Sequence, residues 1–252
     1  MTQQEALFRY ALRLGDNALI QGHRLSEWCS KGPILEEDLA LTNIALDNIG
    51  LAQAFLKYAA AIEGKGRTED DLAYKRGERQ FYNHQIAELP IGDFAFTIGK
   101  QLLISAFEVQ LFSALSQSMD ETIAGIAAKG LKESRYHFVH SRDWCYRLGE
   151  GTELSHAKLQ QAIDDLWTYT GEFFEMAPED TILLVAGIAA DLDAMRLNWK
   201  ETVTGVLSEA TIRVPEDDFM QTGSRQGIHT EHLGHILSEM QYLQRAYPDA
   251  TW

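Results

Sequence analysis

Few side chains in this sequence stand at spacings that support chemistry. A pair of iron ions in a helical bundle needs one Glu from each of two helices and a Glu-x-x-His from each of two more. Residues three apart share a helix face, and four carboxylates offset the ions' charge in a low-dielectric core. The literal motif occurs once, at Glu153-Leu154-Ser155-His156. It follows Gly149 and Gly151 and so falls in a connection or the first turn of a helix, with Thr152 or Ser155 as its cap.

Two denser groups call for the same test. Glu133, His137 and His140 share one helical face, which suits either a mononuclear ion or a hydrogen-bonded polar cluster. His229, His232 and His235 recur every three residues, a spacing open to zinc. That run is not H-E-x-x-H, however. Thr230 reads as a helix N-cap with Glu231 at the positive end, which leaves His229 outside the helix. Gly223-Ser224-Arg225-Gln226-Gly227 precedes the same helix but lacks the full phosphate-loop pattern, and reads as a connection. Cys29 and Cys145 stand alone, as expected of thiols in a reducing cytoplasm and not of a disulfide framework.

The elements that must carry these residues are helical. Thr2 and Glu5 form a capping-box pattern, and helices are expected near 3–28, 36–62, 93–118 and 120–148. Gly64 suits a C-cap, and Asp93 and Asp120 suit N-caps. The second helix is apolar on almost every face and is expected to lie deep in a bundle. A shorter polar helix is expected over Thr68–Ala87, with more near 155–175, 190–210 and 231–247, and residues 214–227 form the longest irregular stretch. No alternating run supports a sheet, and no linker divides residues 1–252, so a single domain is expected. Two long helical pairs joined by a long crossover are the plan of a ferritin-like four-helix bundle, here with additional helices.

Composition narrows the partners. The chain of 252 residues carries 22 Lys+Arg against 37 Asp+Glu, a formal charge of −15. Such an excess repels phosphate backbones and anionic membrane surfaces, so neither nucleic acid nor membrane is expected as a partner. The first residues lack the basic start and apolar core of a signal peptide, and no run of 18 consecutive apolar residues suggests a membrane span.

The strings LRLGDNALI, LALTNIALDNIGLAQAFL, ERQFYN, KESRYHF and GIHTEHLGHILSEMQYLQR resemble the structural C subunits of bacterial phenylacetyl-CoA epoxidases, from Leu12 to Trp252. That resemblance implies a ferritin-like subunit paired with a homologous catalytic A subunit that holds two irons. It also implies where ligands once stood. The catalytic second helix carries a pattern like D-E-L-G-H, and this sequence reads Asp47-Asn48-Ile49-Gly50-Leu51. The catalytic fourth helix resembles K-E-E-x-x-H, and here Ser134 replaces the Glu while His137 survives. The lone carboxylates of the first and third helices map near Ala18 and Ser105, to within a turn.

Asn48, Leu51, Ser105, Ser134 and His137 therefore mark a vestigial di-iron pocket. A neutral amide and an alkyl chain cannot replace the anionic ligands. The expectation is a non-catalytic structural subunit with no catalytic residue and no cofactor of its own. Its partners would be the di-iron A subunit and other subunits of the complex, with a homodimer of the isolated chain left open. The alternative is a stand-alone metal-binding, ferritin-like oxidoreductase.

Overall fold

The computed structural model describes residues 1–248 and 250, so Trp252, the end of the resemblance, lies outside the described residues. In chain order the helices are α1 (Gln3–Ser26), α2 (Leu35–Glu63), α3 (Glu69–Tyr74), α4 (Gln85–Glu88), α5 (Phe94–Leu115), α6 (Glu121–Gly149), α7 (Glu153–Trp167), α8 (Pro178–Val185), α9 (Leu192–Glu209), α10 (Glu231–Met240) and α11 (Tyr242–Ala246). No strand occurs among the described residues. The described residues divide into two compact units, and the chain passes between them after residues 90, 176, 183 and 222.

The first unit takes residues 1–90, 177–183 and 223 onward. Its centre is the antiparallel pair α1 and α2. Thr2 caps α1 reciprocally with Glu5, and the left-handed Gly64 closes α2. The two helices approach closely because α1 presents glycines. A Cβ on Gly15 would meet the Leu56 side chain at 2.7 Å, and one on Gly22 would meet Ile49 at 2.9 Å and the Ala45 carbonyl at 3.1 Å. Aliphatic side chains of α2 fill the space that glycine leaves, which is how interiors reach crystal-like density.

The expected polar helix over Thr68–Ala87 is broken. Thr68 caps α3, which stops at Tyr74. A 3-10 turn at Glu78–Gln80 and the single turn of α4 follow. The break has an electrostatic cause. Arg76 is buried and donates to the Leu72 carbonyl, to the Gln80 carbonyl at 2.6 Å and to Asp16 on α1, so the chain wraps around its guanidinium and does not continue as a helix. The expected helix at 231–247 likewise divides into α10 and α11 at Gln241, whose side chain donates to the carbonyls of Ala73 and Arg76.

Helix α2 also departs from expectation. Leu41, Ile44, Leu51, Phe55 and Leu56 are buried, but Leu35, Leu39 and Leu46 are exposed. α2 has the length and apolar content of a membrane-crossing helix, although no run of 18 consecutive apolar residues occurs in it. Its inner face is packed on α1.

The second unit takes residues 91–176 and 184–222. Its centre is the antiparallel pair α5 and α6, capped by Asp93 and Asp120. α5 is buried along most of its length, with α7 and α9 packed against it. The helix expected at 155–175 ends at Trp167 and gives way to a 3-10 turn over Thr170–Phe174. That turn inserts Phe173 parallel to Phe107 at 4.8 Å and sets Phe174 edge-on to the same ring at 5.8 Å. The Trp199 indole joins this cluster and donates to the Leu103 carbonyl at 3.1 Å. Such offset and edge-on contacts are the favoured aromatic geometries.

Gly22→Val is expected to cost about 1–3 kcal/mol in urea unfolding, because the added methyls overpack against Ile49 and the Ala45 carbonyl. At Gly125 a Cβ meets nothing within 4 Å, so Gly125→Ala is expected to leave stability unchanged or raise it by up to ~1 kcal/mol.

Candidate functional site

The positions expected to mark a relic metal pocket fall on both central helix pairs, and each half is described by its own chemistry. In the first unit, Ala18 on α1 and Leu51 on α2 are buried and apolar. Asn48, one turn before Leu51, is buried too, and its amide donates back to the Ile44 carbonyl of its own helix at 2.9 Å. This half offers no anionic or imidazole donor at the mapped positions.

In the second unit a polar seam runs along α5 and α6. Gln101, Ser105 and Glu108 stand at i, i+4 and i+7 on α5, and Ser134, His137 and Ser141 at i, i+3 and i+7 on α6; all six are buried. The Ser134 hydroxyl is hydrogen-bonded to the Glu108 carboxyl group. The Ser105 hydroxyl donates to the Gln101 carbonyl at 2.5 Å and lies 3.4 Å from the Ser141 hydroxyl. Ser141 in turn donates to the His137 carbonyl at 2.9 Å. The amide group of Gln101 makes no hydrogen bond among the described residues.

Ser105 pairs with Ser141, and the side chain that meets Ser134 is Glu108. The signal for it was present in the sequence, since Glu108 is the single acidic residue of α5. Burial pushes the Glu108 carboxyl up to about 8, against the pull of the Ser134 hydroxyl. At neutral pH it is mostly a neutral acid, the form that a buried carboxyl takes without a cation beside it.

The seam does not fit a pair of irons. Its half-site supplies one carboxyl and one imidazole, where the chemistry needs several anionic ligands on each side. Among the described residues, no three His, Cys, Asp or Glu side chains are grouped so as to share an ion. Glu133 pairs with Lys129 at 3.3 Å on α6, and His137 is buried beside Ser134 on the same helix. The motif at Glu153 and His156 occupies the first turn of α7, where Thr152 accepts from the Ser155 amide, and the His156 ring reaches the Thr211 carbonyl at 3.0 Å.

The histidine run at 229–235 disperses. His229 is enclosed, with Nδ1 3.0 Å from Glu88 and Nε2 2.8 Å from the Phe81 carbonyl. A carboxylate and a carbonyl both accept, an arrangement that favours the charged, doubly protonated ring. Burial works against this charge, but Glu88 and the Phe81 carbonyl together hold the His229 pKa above its ordinary value. Glu88 also accepts from the Thr230 amide at 2.6 Å and from Asn83 at 3.1 Å. His232 is half-buried and His235 is exposed on α10. The glycine-rich stretch before α10 is a tight turn with Arg225 buried in it. Gly227 has φ +70°, and a Cβ there would strike the Arg79 carbonyl.

The densest chemistry of the chain thus lies in ion pairs of the first unit, which no sequence motif had marked. Arg13 of α1 grips Asp180 with both terminal nitrogens and lies 3.6 Å from Glu179. Three residues on, Asp16 accepts from both terminal nitrogens of Arg76 and from the Tyr82 amide. Burial works to raise the Asp180 carboxyl, but the Arg13 guanidinium holds it below the usual range. All four charges of these two bidentate pairs are buried and satisfied, an arrangement that orders a fold.

Two pH dependences follow. The folded state holds the Glu108 proton more tightly than the unfolded chain, so the stability of wild type relative to Glu108→Gln should fall as pH rises from about 4.5 to about 8. The raised pKa of His229 likewise gives a contribution that is complete below about pH 6.5 and lost as pH rises through the folded value. In thermal melts the advantage of wild type over His229→Asn should therefore shrink as pH rises above about 6.5.

The strings that carry the resemblance sit on this geometry. LRLGDNALI holds Arg13 and Asp16, ERQFYN holds Phe81 and Asn83, GIHTEHLGH holds His229 and Thr230, and KESRYHF holds Ser134 and His137. The whole of residues 1–252 matches the family described as phenylacetic acid catabolic protein, whose fold is ferritin-like and all-helical. A curated relative, the C subunit of the 1,2-phenylacetyl-CoA epoxidase of Escherichia coli (strain K12), is 49% identical over 246 residues, which are 98% of this chain and 99% of that protein. With the match running end to end, this chain belongs to the phenylacetic acid catabolic protein family.

Proposed function

We propose that this chain is a non-catalytic structural subunit of a phenylacetyl-CoA epoxidase of phenylacetate catabolism, acting in the cytoplasm as one ferritin-like domain. The observation that carries this reading is the composition of the seam. Ser134 stands where a ligating Glu would be needed, and the carboxyl opposite it, Glu108, is a neutral acid. Asn48 and Leu51 leave the other mapped positions without an anionic donor. A core of this kind supports packing and not redox chemistry.

In this reading the di-iron centre belongs to a homologous catalytic subunit, and when bound there it supplies the oxygen chemistry. The residues of this chain contribute packed helices. Its ion pairs fix the segments around α1, and binding of the folded chain stabilises both partners by mass action. The four passages of the chain between its two units support a single domain, since no one linker separates them.

Co-expression with the catalytic subunit tests the reading. The two chains should co-purify, iron should follow the catalytic subunit, and this chain purified alone should hold well under one equivalent. Tight, near-stoichiometric iron in this chain alone, or failure to bind or influence the catalytic subunit, would refute it.

A further inference from the structure

The outer side of α2 carries a line of leucines that the first unit does not cover. Leu35, Leu39 and Leu46 are 71%, 55% and 63% exposed, and Ile34 adjoins them at the start of the helix. With Thr42 they fall at intervals of four, three and four residues, the alternation by which one helix seats against another. The line ends where Ile49 turns inward to Gly22 of α1. It is roughly 17 Å long, about three helical turns. Glu36, Asn43 and Asp47 run alongside it, and α2 has no Lys or Arg before Lys57.

We propose that this line is a docking seam for a helix of the catalytic subunit of the epoxidase complex, one with an apolar stripe of matching spacing flanked by Lys or Arg. The proposal rests on the subunit reading above. The flanking charge selects the occupant. In a parallel pairing of two copies, Glu36 and Asp47 would each meet their own kind. In an antiparallel pairing centred near Thr42, Glu36 would come opposite Asp47. Like charges facing across a seam oppose association, and a chain of charge −15 adds to the repulsion. An anionic membrane surface meets the same obstacle. Four apolar side chains do not make up the ~800 Å² per partner of a stable interface, so the seam is the apolar anchor of a broader contact.

The test uses the full chain with the catalytic subunit. Leu39→Glu/Leu46→Glu should keep the helical circular-dichroism spectrum and melting temperature of the wild type, because both positions are exposed. It should weaken binding by at least about 100-fold, as expected when two leucines no longer leave water. Leu39→Met/Leu46→Met should bind like wild type. In the wild-type complex, amide exchange over residues 35–47 should slow relative to the free chain, a result that stands even if the Glu variant folds poorly. Undiminished binding by a folded Glu variant, or unchanged exchange over 35–47, overturns the seam while the subunit reading stands. Loss of a homodimer of the isolated chain in that variant, seen by sedimentation, assigns the line to a second copy and overturns the proposal. Binding of wild type but not the variant to phosphatidylcholine vesicles overturns it in favour of a membrane. Failure of the wild-type chain to bind the catalytic subunit removes the subunit reading, and the seam with it.

Discussion

Two charges one helical turn apart on α1 organise the first unit. Arg13 and Asp16 have opposite signs, and each finds its partner far along the chain, at Asp180 and Arg76. Helix propensity alone would not bring residues 76–82 or 177–180 to that face. A buried guanidinium without its carboxylate, or the reverse, costs about 3–5 kcal/mol, so conformations that lack either contact are strongly disfavoured. Replacing such pairs by apolar groups is often tolerated, so their value lies in selecting one arrangement and less in raising stability. The Arg76 guanidinium also lies 4.0 Å from the Phe81 ring, and Arg13 lies 5.0 Å from Tyr10, so each cation is covered on a flat face as well as bonded at its edge.

From these pairs the non-helical segments acquire their order. Arg24 donates to the Glu88 carbonyl at 2.9 Å, and the Glu88 side chain holds His229 and the start of α10. Asn17 accepts from the His84 amide at 2.7 Å. One face of α1 therefore anchors the 72–88 segment, which in turn anchors the C-terminal helices. In the irregular segments the buried polar contacts add to the packing of Leu72, Phe81 and Ile86 and fix the course of the backbone between them.

That division explains what was legible in the sequence. The four long helices and their caps at Thr2, Asp93 and Asp120 were readable, because helical period and capping are local signals. The breaks at Tyr74 and Gln241 were not. The first depends on Arg76 reaching Asp16 of α1 and the second on the Gln241 amide reaching the carbonyls of Ala73 and Arg76, long-range contacts that no local propensity encodes. The 3-10 turn at Thr170–Phe174 escaped for the same reason, since it exists to seat Phe173 and Phe174 around Phe107. Of the seam, Ser134, His137 and Ser105 were named from the resemblance, and Glu108 was not, since a one-turn shift along a buried helix preserves its apolar periodicity and changes only which polar side chain meets α6.

The exposed leucines of α2 and the neutral acid of the seam express one constraint from two sides. A helix apolar all round was expected to be wholly buried, yet only its inner face is. A bundle that held ions at its centre would draw its stability partly from metal–ligand bonds. This chain instead fills the mapped positions with Ala18, Asn48, Leu51 and Ser134, side chains that pack and bond within their own helices or to Glu108. With the interior settled in this way, the remaining apolar surface of α2 faces outward. The 37 acidic residues then act at long range. A net charge of this size opposes the approach of a second acidic surface and draws one of opposite sign.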